Sequence, residues 1–148
     1  MKIICVGKIK EKFFVDAIEE YSKRISKYTK LEIIQISDEA NESVALKKEG
    51  EKILSKIKDN DYVVTLEIEG NSLTSLEFAK KIDNNFGSNK NLTFVIGSSY
   101  GLADLVKQRS DYKLSFSKFT FPHQLFRIIL LEQIYRAYKI NNNENYHK

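Results

Sequence analysis

Two histidines, His123 and His147, are the only side chains in this chain of 148 residues whose ordinary pKa lies near neutrality. His123 sits in the stretch FSKFTFPHQ, residues 116–124, beside the chain's single proline and just before its most hydrophobic segment. His147 stands in the terminal Tyr146-His147-Lys148. A phenol ring, an imidazole and an ammonium are the groups needed to stack on a base, accept a proton and touch a phosphate. A frayed polar terminus would read the same way. The histidines lie too far apart, with only Cys5 to join them, for a zinc spacing, and no metal is expected.

A second set of candidates lies in FVIGSSYGL, residues 94–102. Gly97-Ser98-Ser99-Tyr100-Gly101 matches G-x-S-x-G between a strand and a helix, and Ser99, Asp111 and His123 follow in the order of a hydrolase triad. The alternative of a small serine hydrolase therefore stands, although no HGGG-like oxyanion segment accompanies it. The stretch is neither a dinucleotide fingerprint nor a Walker loop. It serves equally as a tight turn that needs glycine dihedrals, or as a ligand loop at the carboxyl end of a strand. In TLEIEG, residues 65–70, a buried strand is expected to end at Leu66 in another glycine-containing turn.

The elements that must position these residues alternate along the chain. Residues 3–6, 31–36, 62–66, 92–96 and 112–116 read as strands. Residues 12–28, 44–57, 75–86, 102–109 and 121–140 read as helices. This predicts a single α/β domain over residues 1–148, with a mostly parallel sheet flanked by helices. The last helix is apolar nearly all round, which predicts cover on two sides, the second from a partner subunit. The charge run KKEGEK, residues 47–52, reads as a solvated helix face.

A net charge of +4 and a pI near 9.0 favour a polyanionic partner. The opening apolar run IICVG is too short for secretion or for spanning a membrane, and Cys5 reads as a buried thiol in a reducing compartment. A cytoplasmic protein is expected.

TLEIEG, FVIGSSYGL, the block SFSKFTFPHQLFRIILLEQIYRAYKI and the terminal YHK, in that order, resemble the RlmH family of SPOUT-type RNA methyltransferases, and the resemblance runs nearly end to end. It implies a homodimer with a C-terminal trefoil knot and S-adenosylmethionine held in the knot. The implied reaction is methylation of N3 of a pseudouridine in 23S (large-subunit) ribosomal RNA of the assembled ribosome. Family cofactor contacts map onto Leu66, Gly97 and Phe116, Ser117, Lys118, Phe119, Thr120 and Phe121. For the chemistry, His147 is the preferred proton acceptor, with Tyr146 to stack on the target base and His123 to orient the loop. Arg127, Arg136 and Lys148 are candidates for RNA phosphates. Where the family shows a glycine pair and a small residue, this chain has Ser98 and Tyr100, and its loop after Ile36 is shorter. A ribosome-binding protein without catalysis is the remaining alternative.

Overall fold

Alternation within the first strand decides the layering of the molecule. In β1 (Lys2–Val6), Ile3 and Cys5 point to one face of the sheet and Ile4 and Val6 to the other, and all four are fully buried. A strand apolar on both faces must be covered on both, as in a parallel sheet. The computed structural model, which describes residues 1–148, has that arrangement.

The elements that follow are α1 (Lys12–Ile25), β2 (Glu32–Ile36), α2 (Glu42–Leu54), β3 (Asp61–Ser72), α3 (Ser75–Asp83), β4 (Asn91–Ile96), α4 (Asp104–Arg109), β5 (Tyr112–Ser115) and α5 (His123–Asn141). The five strands pair in the order β2-β1-β4-β3-β5, every pairing parallel. Ile3, Cys5, Val64, Phe94 and Leu114 join the larger apolar core with residues of α1, α3 and α5. Ile4, Val6, Val63 and Val95 join a smaller one with residues of α2 and α4. Parallel strands place every strand-to-helix loop at one edge of the sheet, where ligands of such folds bind.

The predicted strands and helices all form, with boundaries displaced by a few residues. The main difference is β3, which does not stop at Leu66. Both Leu66 and Asn71 register with Leu114, so Glu67–Gly70 is looped out and the strand resumes to Ser72. The backbone of Gly70 lies so close to β5 that a Cβ there would fall 2.7 Å from the carbonyl carbon of Leu114. Glycine is needed at that position for close approach.

α5 packs against both α1 and α3 of its own chain, burying Leu130, Leu131, Ile134 and Ala137. Those four residues are covered from within the chain, while Leu125 near the start of the helix stays exposed. KKEGEK is a solvated face only in part: Lys47 and Lys48 are exposed, but Glu49 and Gly50 are buried. Helix interiors disfavour glycine by about 1 kcal/mol relative to alanine. At Gly50 the reason is packing, since a Cβ would meet that of Ala103 at 2.7 Å.

Candidate active site

Three loops at the carboxyl edge of the sheet enclose a cavity of about 800 Å³. The looped-out part of β3 supplies Leu66, Glu67, Ile68 and Glu69. The turn after β4 supplies Gly97, Ser98, Ser99 and Gly101, and the segment after β5 supplies Phe116, Ser117, Phe119, Thr120, Phe121 and His123. Every residue expected at a cofactor lines this cavity except Lys118, which is exposed beside it. Sequence reasoning missed Glu67, Glu69 and Lys107, which also line it. The bulge that carries the two carboxyl groups has no signal beyond Gly70.

The turn after β4 is closed on itself. A Cβ at Gly97 would sit 2.2 Å from the carbonyl oxygen of Gly101, and Gly101 has φ +84°. The amide of Gly101 donates to the Ser98 carbonyl at 3.0 Å, and the amide of Tyr100 to Ser98 Oγ at 3.3 Å. Gly97 is therefore required by its own turn, a reason internal to the loop, and it also lines the cavity.

His123 opens α5 and lines the cavity half-buried, its ring against Gly7 at the end of β1. Burial, and then the charge of Arg127, hold its imidazole below the ordinary 6.5, against weaker pulls from Asp38 and Glu49. It is neutral at physiological pH.

Arg127 is 1% exposed and gives Nη2 to the carbonyls of Val6 and Gly7, at 3.3 and 3.0 Å. A guanidinium so enclosed cannot meet an RNA phosphate, which corrects that expectation: Arg127 ties α5 to the end of β1. The serine hydrolase reading fails on topology. Ser99 follows β4 whereas Asp111 precedes β5, so a parallel sheet puts them at opposite edges. Asp111 is committed there, accepting from the Val63 amide at 2.8 Å and from Arg109 at 3.2 Å.

The C-terminal tail is docked rather than frayed. Tyr146 bonds Glu132 and packs edge-on against Tyr135 with ring centres 5.0 Å apart, and Arg136 Cζ lies 5.0 Å over the Tyr146 ring centre. His147 Nδ1 is 3.2 Å from Arg136 Nη1, and Lys148 is exposed. Burial, then the bond to Glu132, push the Tyr146 phenol far above its ordinary range. Arg136 is also ion-paired with Glu132 at 2.5 Å, so it is occupied in this arrangement. It stands most of the length of α5 from His123, about 20 Å at the rise of an α-helix. Tyr146 and His147 consequently do not reach the cavity of their own chain.

A family model described as "Predicted SPOUT methyltransferase" matches residues 1–147. The chain is 56% identical to ribosomal RNA large subunit methyltransferase H 1 of Clostridium perfringens, covering 99% of this chain and 98% of that protein. It is 55% identical to ribosomal RNA large subunit methyltransferase H of Clostridioides difficile, covering 100% and 99%. Among solved structures, a probable methylase family protein from Haemophilus influenzae superposes with a TM-score of 0.58 at 14% identity, covering 99% of this chain and 70% of that one, a likeness of fold. By the full-length family match and the relatives' identity, the chain belongs to the SPOUT methyltransferase family, with ribosomal RNA large subunit methyltransferase H as its near relatives.

Proposed function

We propose that this chain transfers a methyl group from S-adenosylmethionine to N3 of a pseudouridine in large-subunit ribosomal RNA. It would work in the cytoplasm on the assembled ribosome, as a homodimer whose C-terminal part is threaded as a trefoil knot. The observation that carries this reading is the convergence of the loops after β3, β4 and β5 on one cavity. The relatives' names and the pI near 9.0 support the RNA partner.

The cavity fits a nucleoside cofactor in size and in chemistry. Its volume lies within the ordinary range for small-molecule sites. Leu66, Phe116, Phe121 and Phe126 offer apolar walls for a base, while Ser117, Thr120 and the backbone of the Gly97–Gly101 turn offer polar groups. Glu67 and Glu69 put carboxyl groups on the wall that would face a cationic ligand. When bound, S-adenosylmethionine supplies an electrophilic methyl group open to in-line displacement.

What remains for the protein is to orient the target base and to take its N3 proton. His147 is assigned the proton, Tyr146 the stacking and Lys148 a phosphate. Because the tail lies along the far end of its own α5, these residues are assigned to the cavity of the second protomer. Exposed Leu76, Phe119, Phe121 and Leu125 supply apolar surface for such an interface.

The test is to incubate the protein with methyl-labelled S-adenosylmethionine and ribosomes lacking the modification, then map the labelled nucleotide. Label at N3 of a large-subunit pseudouridine is expected. Cofactor binding by calorimetry with no transfer to RNA would sink the substrate assignment. Salt-sensitive RNA binding without cofactor binding would favour a non-catalytic ribosome-binding protein.

A further inference from the structure

Glu49, on α2, is 2% exposed, yet no lysine, arginine or histidine is within ion-pair distance of it. Its two carboxyl oxygens are used separately. Oε1 accepts from the backbone amide of Glu39, in the loop after β2, at 3.0 Å. Oε2 accepts from the hydroxyl of Ser98, in the turn after β4, at 2.7 Å. The Ser98 hydroxyl is thereby engaged both ways, donating its proton to Glu49 while its oxygen accepts from Tyr100. Next along the helix, Gly50 lets α2 approach Ala103 just beyond the same turn.

Buried polar atoms are nearly always paired, and losing one partner strands the other. We propose that Glu49 and Ser98 form a latch that holds the Gly97–Gly101 turn in its cofactor-accepting shape, making both positioning residues for methyl transfer. The inference rests on reading the cavity as the cofactor site. The latch joins the turn to the loop after β2 through one carboxyl group, so cofactor affinity depends on a helix that contributes nothing to the cavity wall.

The test uses the full-length protein and the variants Ser98→Ala, Ser98→Thr, Glu49→Ala and the double variant Ser98→Ala/Glu49→Ala. Hydrogen exchange at the Gly101 amide, which bonds the Ser98 carbonyl and not its hydroxyl, reports the turn without cofactor. Calorimetry with S-adenosylmethionine reports its function. Ser98→Ala should exchange faster and bind about tenfold more weakly, the effect of one stranded polar atom. Ser98→Thr, which keeps the hydroxyl, should restore both. The double variant should bind no worse than Glu49→Ala alone. Unchanged Gly101 exchange in Ser98→Ala, affinity within twofold of the parent, or additive losses would each overturn the latch. Should the unaltered protein fail to bind S-adenosylmethionine, the cofactor reading falls, while the exchange measurement still decides whether the latch holds the turn.

Discussion

Tyr146 donates its phenolic proton to Oε1 of Glu132 across 3.0 Å, and through that bond the last residues of the chain are folded back along the helix that leads to them. The same carboxylate takes Nη2 of Arg136, one turn further along. Glu132 is thus the post to which the tail is tied, and Arg136 reaches on to His147.

Glu132→Gln should therefore loosen the tail without unfolding the protein. Amide exchange and carboxypeptidase trimming of residues 144–148 should accelerate severalfold. Tyr146→Phe, which removes only the hydroxyl, should cost about 1 kcal/mol in urea unfolding. An unchanged trimming rate in Glu132→Gln would show that ring stacking alone holds the tail.

Two groups, His123 and Asp61, act on stability in separate pH windows. The native state lowers the His123 pKa, so it binds that proton less readily than the unfolded chain. Nothing is lost above 6.5; stability falls as pH drops from 6.5 towards the native value and levels off beneath it. Asp61 behaves differently. Burial pushes its carboxyl up, but bonds from Lys2, the Lys58 amide and Asn91 together outweigh that and hold it below 3.8. Its contribution is present above 3.8 and disappears as pH falls through the native value. Chemical denaturation across pH should show that His123→Gln removes the upper slope and leaves the acid one.

The two glycines of the turn after β4 should respond unequally to alanine. At Gly97 the added carbon meets backbone at 2.2 Å, with no flexible atom to yield. Gly97→Ala should destabilise by about 3 kcal/mol and abolish cofactor binding. At Gly101 nothing lies within 4 Å and the strain is in φ alone. About 1 kcal/mol is expected for Gly101→Ala. Equal melting temperatures for the two variants would contradict the closed turn.

Salt dependence separates the two cations placed differently by burial. Arg127→Met should leave the slope of RNA affinity against salt unchanged, because the guanidinium touches only the carbonyls of Val6 and Gly7. Lys148→Ala should reduce that slope by about one phosphate contact, 0.7–0.9 in log–log terms. A shallower slope for Arg127→Met would mean that α5 opens when RNA binds.

Much of this was legible in residue order. Branched apolar runs such as Tyr62–Leu66 and Leu92–Ile96 could only be buried strands, and the alternation with helices made the sheet parallel. The cofactor stretches followed from their position after strands and from motif resemblance. The bulge at Glu67–Gly70 was not legible, because it arises from β3 rejoining β5 and leaves only one glycine as a local trace. Nor was Arg127's burial, since periodicity places a residue on a face without saying whether that face holds carbonyls to receive a charge. Glu49 was hidden in a charge run. Its neighbour Gly50, out of place in a helix, was the available sign that α2 presses on another backbone there.

The way α5 lies against both α1 and α3 also orders the birth of the molecule. Those helices belong to the earlier part of the chain, and their apolar residues share one core with the strands and with α5. As the polypeptide is synthesised, all five strands and both of these helices are made before α5 begins, leaving the larger core open along one side. Contacts between segments so distant in sequence form slowly. The domain closes when its final helix arrives, so the segment that completes the core is also the one that delivers the tail.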